Sequence, residues 1–300
     1  MGGGGPLSDR PRVVVVGDVA TDVVVVLSGE PAPGSDRPAA IRTRGGGAGA
    51  NVAAHLAHLG TAAALAGCIG DDAAGTGLAA ELAGSGVHLL LRTVSGAATG
   101  TIVSLVEPGG QRSMLADRGA NLQLRPDDVP QLLRGQHLHL SGYTLLDPGP
   151  RAAGLAALEA AVHAGCTVSL DPASTGPLAR YGVDRWLADT ARATLLLPNA
   201  DEARLLTGCA DPSDAARSLA GRHRIVALSL GADGALWASG DVLVHRPAHA
   251  TDVVDTTGAG DAFAAGLLAA WLRFPDGDPV EFLDAGLALA ADVVRRPGAR

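Results

Sequence analysis

His137-Leu-His-Leu140, Arg151-Ala-Ala-Gly-Leu-Ala-Ala-Leu-Glu-Ala-Ala-Val-His-Ala164 and Thr167-Val-Ser-Leu170 follow one another along the chain. The outer two are short runs of strand character, and the middle one is an Ala/Leu-rich stretch of helical length. The same alternation extends in both directions. Upstream lie Val13-Val-Val-Val16, Ala62 to Ile69 and the helical Ala73 to Leu82; downstream, strand-like Thr194 to Leu197 and Ile225 to Leu230 flank the helices Ala200 to Leu206 and Ala215 to Gly221. Strands that alternate with helices at this spacing make βαβ units, hence a parallel sheet covered by helices on both faces. The right-handed crossover then gathers the loops after the strands at one sheet edge, where ligands bind.

Two segments break the alternation. Asp22 to Arg44 and Thr99 to Leu115 have hairpin character, the second with a Pro108-Gly-Gly110 turn signal. They are expected to form a small β-sheet that projects as a lid, over about 22–45 and 97–118. Residues 1–11, opening Met1-Gly-Gly-Gly-Gly-Pro6, are expected to be a disordered leader, and 12–300 one domain.

Composition narrows the function. A net charge of −8 without clustered basic residues excludes a nucleic-acid or anionic-membrane surface and favours a small-molecule substrate. Apolar runs such as Val23 to Leu27 are too short to span a bilayer, and no signal peptide is visible, so a cytoplasmic location is expected. Cys68, Cys166 and Cys209 are odd in number and widely spaced, which fits small core residues rather than a disulfide or zinc framework. The chain contains no lysine. A Walker A loop, a protein-kinase site and a pyridoxal Schiff base each need one. Any phosphate must therefore be held by backbone N–H groups, Arg or metal.

Asp255-Thr-Thr-Gly258-Ala259-Gly260-Asp261 is a small-residue turn that leads directly into the apolar run Ala262 to Trp271. Unpaired amides at that helix start, together with its dipole, make an anion site, and Asp261 beside it can take a proton from an attacking hydroxyl. The plainer alternative is a tight turn with Asp261 as a cap. The second glycine-rich stretch, Gly45-Gly46-Gly47-Ala48-Gly49-Ala50-Asn51, reads as a cradle for hydroxyls, with Asn51 offering both a donor and an acceptor. It also partly satisfies a dinucleotide fingerprint, Gly47-x-Gly49 with Asp71 about 20 residues on, which leaves a dinucleotide-dependent oxidoreductase as a rival.

Taken as a pair, these stretches resemble the two signatures of the PfkB, or ribokinase-like, family of carbohydrate and nucleoside kinases. The resemblance continues through Gly17 to Asp22, Gly67-Cys-Ile-Gly70, Asn199-Ala-Asp-Glu202 and Leu230-Gly231-Ala-Asp-Gly234, across nearly the whole chain. It implies a ribokinase-like three-layer α/β sandwich and ATP-dependent transfer of a phosphoryl group to a sugar hydroxymethyl group, with a nucleoside as the alternative acceptor. It also implies Asp261 as catalytic base; Gly258, Ala259 and Gly260 as anion hole; and Asp22, Gly46, Gly47 and Asn51 at the substrate. Asn199, Glu202, Ser229, Gly231 and Gly234 would serve the nucleotide, with Mg²⁺ near Glu202 and a monovalent cation, K⁺, near Asp255 and Thr257. A homodimer through the lid is expected.

The chain departs from the family's better-known patterns at Ala20, Ala48 and Asp171-Pro-Ala-Ser174, where ribokinases and fructokinases carry other residues, so the acceptor stays open with a lean towards a sugar. His55 and His58 read as a helix face rather than a metal pair, and His137 and His139 as the polar face of a strand.

Overall fold

The computed structural model describes residues 11–29, 34–107, 112–296 and 298–299. The leader, apart from Pro11, and the Pro108–Gly110 turn expected above lie outside the described residues. The strands are β1 (Val13–Val16), β2 (Ala20–Leu27), β3 (Ala39–Gly46), β4 (Ala63–Gly70), β5 (His88–Val94), β6 (Gly100–Val106), β7 (Arg112–Asp117), β8 (His137–Ser141), β9 (Thr167–Asp171), β10 (Leu195–Leu196), β11 (Ile225–Ser229), β12 (Ala235–Ser239) and β13 (Val242–Arg246). The helices are α1 (Ala48–His58), α2 (Ala73–Gly84), α3 (Tyr143–Leu146), α4 (Arg151–His163), α5 (Thr175–Tyr181), α6 (Val183–Thr190), α7 (Ala200–Thr207), α8 (Pro212–Ala220), α9 (Ala259–Arg273) and α10 (Pro279–Val293).

The large sheet has the order β13-β12-β11-β10-β9-β8-β1-β4-β5. It is parallel from β5 to β11, and β11, β12 and β13 close one edge as an antiparallel meander. Strand β1 shows why the sheet is buried on both sides. Its valines alternate, Val14 and Val16 packing into one apolar cluster with α4 to α8, and Val13 and Val15 into a second with α1, α2, α9 and α10. Three layers result, as the alternating sequence implies. A four-stranded sheet, order β3-β2-β6-β7, stands apart from it, with antiparallel outer pairs and a parallel β2–β6 pair.

One expectation needs correction. His137 and His139 do not face solvent: both are buried, because helices cover each side of β8. His137 contacts Thr167 Oγ1 and Ser169 Oγ at 2.8 Å each, and His139 contacts the same Ser169 hydroxyl at 2.8 Å. Burial drives both imidazoles towards the neutral form, to a pKa of about 3 for His137 and about 4 for His139. The first helix begins at Ala48, directly after β3. Gly47, at φ 93°, turns the chain straight out of β3, and a Cβ there would lie 2.6 Å from the Asp18 carbonyl oxygen.

Candidate active site

The parallel strands bring Asp18, Ser141, Asp171 and Ser229 to one edge of the sheet, where the N-termini of α1, α7 and α9 also converge. Gly258 caps α9 at φ 76°, a left-handed conformation that a side chain resists, and a Cβ there would meet Ala299 at 2.4 Å. A Cβ on Gly260, by contrast, would meet nothing within 4 Å beyond its chain neighbours and its own helix backbone. Packing therefore does not demand glycine at 260. Gly258, Gly260 and Asp261 line a cavity of about 170 Å³ together with Asp171, Asn199 and Glu202. Ala259 donates its N–H to the Thr256 carbonyl at 3.3 Å within the turn.

Asp261 is half-buried in the first turn of α9 and accepts a 2.7 Å hydrogen bond from Asn51 Nδ2. The amide oxygen of Asn51 is buried without a hydrogen-bond partner. Asp22 pairs with Arg44 in the β2–β3 register, two positions from Gly46, and its carboxylate leans over that glycine: a Cβ on Gly46 would fall 2.2 Å from it, so glycine makes room for the acid. Burial raises the Asp261 pKa well above the usual carboxylate range; the nearby Asp171, Asp18 and Asp22 charges push the same way, and the Asn51 bond opposes them.

Asn199 and Glu202 form a reciprocal cap on α7. Asn199 Oδ1 accepts from the Glu202 amide and Glu202 Oε2 from the Asn199 amide, each at 2.9 Å. Glu202 is buried beside Asp171, and burial followed by that neighbouring charge lifts its pKa to about 8. Asp171 is raised to about 6, chiefly by burial. Two neighbouring carboxylates, one buried and one half-buried, are hard oxygen donors of the kind a divalent cation takes. Among the described residues no group of three or more His, Cys, Asp or Glu side chains could hold a metal ion.

Ser229, Gly231 and Gly234 line a larger cavity of about 560 Å³, walled by Val253, Phe263 and Leu287. Gly260 borders both this cavity and the smaller one, joining the two sides of the site. Asp255 lies outside both: its carboxylate accepts from the amides of Thr257 at 2.8 Å and Gly298 at 2.9 Å. The dinucleotide reading fails on geometry. Gly47 and Gly49 follow a strand of the small sheet, a Cβ on Gly49 would lie 2.7 Å from Gly17 Cα, and Asp71 accepts from the Gly96 amide at 3.2 Å.

Some of this arrangement carries little local signal. The Arg118 guanidinium sits 4.0 Å over the Tyr143 ring, 3.3 Å from Asp147 and 4.0 Å from Asp18. Burial, reinforced by the Asp18 charge, lifts Tyr143 to a pKa of about 12. Asp18, Arg118 and the short helix that carries Tyr143 and Asp147 at its two ends are far apart in sequence and share no motif. Asp18 had a clue, its position just past the central strand. Asp171 carried the beginning of one, in the departing Asp171–Ser174 segment; Ala173 there adopts φ 75°, unusual for a side-chain-bearing residue, with its N–H on Asp171 at 2.7 Å.

Residues 10–300 match the pfkB family carbohydrate kinase pattern. An ATP-dependent ribose-1-phosphate kinase of Halopiger xanaduensis is 35% identical over 297 residues, 96% of this chain and 94% of that protein. The structure of aminoimidazole riboside kinase from Salmonella enterica, solved with aminoimidazole riboside and an ATP analogue, is 30% identical at a TM-score of 0.79, over 96% of this chain and 94% of that one. A double-mutant fructokinase from Vibrio cholerae, solved with fructose, ADP and a potassium ion, is 25% identical at a TM-score of 0.82, over 96% and 94% of the two chains.

Proposed function

Because the chain belongs to the pfkB family of carbohydrate kinases, we propose that it transfers the γ-phosphate of ATP to a hydroxymethyl group of a sugar or sugar-like acceptor, with Asp261 as the proton acceptor. The observation that carries this reading is the Asp261–Asn51 pair. Its carboxylate stands between the acids and glycines at the end of β1–β3 and the two cavities that meet at Gly260.

In this reading the acceptor is held by Asp22, Gly46, Gly47 and Asn51, and the nucleotide lies along Ser229, Gly231 and Gly234. Asn51 steadies Asp261 through Oδ2, leaving Oδ1 to take the hydroxyl proton as the hydroxyl oxygen attacks the γ-phosphorus. The raised proton affinity of the half-buried Asp261 strengthens it as an acceptor. The glycine-rich start of α9, Gly258 to Gly260, and the helix dipole face the negative charge on the transferring group, the task a lysine performs in other phosphate sites.

Glu202 and Asp171 would hold Mg²⁺, which supplies neutralisation of the triphosphate when bound. Asp255 and Thr257 would take the monovalent cation, a proposal supported by the potassium ion in the Vibrio cholerae structure. Turnover unaffected by replacing potassium with choline would remove that role.

We read strands β2, β3, β6 and β7, over about 22–45 and 97–118, as a lid on one domain spanning 12–300. Ile41 at 64%, Met114 at 60% and Leu115 at 58% exposure give this sheet the apolar surface a second copy would cover. A monomer in sedimentation at micromolar concentration would exclude the dimer. Among the described residues no helix is long and apolar enough to cross a membrane, and an ATP-dependent enzyme is at home in the cytoplasm.

A nucleoside acceptor is the second reading, favoured by the aminoimidazole riboside bound in the Salmonella enterica structure. Phosphorylation assays of free sugars against nucleosides separate the two. Asp261→Asn should lower turnover on the accepted substrate by about 10²- to 10⁴-fold; unchanged turnover would remove Asp261 as the base.

A further inference from the structure

Asn51 and His55 stand four residues apart on α1 and so share one face of the helix. Asn51 holds Asp261. His55 is 8% exposed, and its Nε2 lies 2.9 Å from the carbonyl oxygen of Ala299. A carbonyl only accepts, so Nε2 carries the proton and donates.

What His55 grips is a short strap, Gly298–Ala299, laid across the turn that begins α9. The Gly298 amide donates to Asp255 Oδ2 at 2.9 Å, and the other Asp255 oxygen accepts from the Thr257 amide. Ala299 is 1% exposed and so close to Gly258 that a Cβ on that glycine would lie 2.4 Å from the Ala299 methyl. Gly298, at φ 90°, packs under Arg44 of β3, whose Cδ would be 2.6 Å from a Cβ on Gly298. The strap is thus bound to α1, to β3 and to both ends of the segment from Asp255 to Gly258.

We infer that His55 is a positioning residue for phosphoryl transfer: through Ala299 it holds the strap against Gly258 and Asp255, and so sets the Gly258–Gly260 amides relative to Asp261. One face of α1 then aligns both halves of the reaction, the proton acceptor through Asn51 and the anion hole through His55. The effect on rate follows from geometry, because preorganised donors act only when aimed at the charge that develops, and a misplacement of about 1 Å can cost on the order of 10²-fold. The inference rests on the kinase reading for its consequence in rate, but not for the contact itself.

The test compares wild type, His55→Ala and His55→Gln. The Gln carboxamide nitrogen reaches about as far as Nε2 and can donate the same bond. Hydrogen exchange of a peptide covering 255–261 and steady-state kinetics well below the melting temperature are the two readouts. The Ala variant should exchange faster at 255–261 and lose about tenfold or more in kcat, with the acceptor KM within about twofold of wild type. The Gln variant should restore both. Wild-type exchange at 255–261 in the Ala variant, or a Gln variant as impaired as Ala, overturns the inference. Wild type without phosphotransferase activity defeats the kinase reading and leaves the exchange result to decide the clamp. If His55→Ala does not fold, Ala299→Gly removes the methyl that packs on Gly258, and wild-type exchange at 255–261 in that variant likewise overturns it.

Discussion

Gly260→Ala separates what glycine does for the fold from what it does for the reaction. Gly260 is the second residue of α9, and a methyl group there would meet nothing within 4 Å beyond its chain neighbours and its own helix backbone. Alanine is worth up to about 1 kcal/mol over glycine inside a helix, less in the first turn. At this chain length a gain of about 0.5–1 kcal/mol should raise the melting temperature by about 1–3 °C. The same methyl enters the space shared by the two cavities at Asp261. If a phosphoryl group is cradled there, the close approach to the helix amides is lost. Losing one such donor costs about 10²- to 10³-fold in turnover. Calorimetry and a coupled ADP-release assay on the same preparation measure the two effects. A variant as active as wild type would refute the anion hole at Gly258–Gly260, and one that melts lower would refute the claim that the space belongs to a ligand rather than to the fold.

The other predictions concern the acids. Asn51→Leu removes a donor that stabilises ionised Asp261, so the acid limb of kcat/KM should move to higher pH and turnover fall by about 10- to 100-fold; an unmoved limb would dissociate Asp261 from that titration. Glu202→Gln keeps an acceptor and a donor for the α7 cap while removing a buried charge. A folded-state pKa raised to about 8 means that stability falls as pH rises from the unfolded value of 4.5 through about 8. In thermal melts without Mg²⁺, the variant should therefore gain on wild type across that window, most at and above about pH 8 and not at all near pH 4.5. Its turnover should drop by about 10- to 100-fold with a weaker Mg²⁺ response; a variant less stable at pH 8 would mean that the cap, not the charge, dominates at this position.

The layered fold was legible because it depends on repeated local patterns. Val13–Val16 could only be a strand buried on both sides, and Arg151–Ala164 could only be a helix between two such strands. The glycine-rich turns were legible for a related reason: the first turn of a helix behind a cap such as Gly258 has amides without partners inside the helix, although here the Ala259 amide turns back to Thr256. His137 and His139 are buried as the two-sided helix cover of the sheet requires, and alternation of polar residues along one strand is no sign of a solvent face in such a sheet.

The chain's local chemistry was enough to specify a lysine-free anion turn, an acid beside it and the α/β layers that carry them. Tertiary structure alone decided what that acid experiences. Asp18 and Asp22, Asp171 and Asp261 come from three separate segments, and their mutual charge, their burial and the Asn51 bond exist only once α1 and α9 have packed together. The same packing brings Gly298–Ala299 back onto Gly258, more than forty positions from Asp255 along the chain. Backbone conformation follows from near neighbours in sequence, whereas proton affinity and the shape of a cavity follow from near neighbours in space.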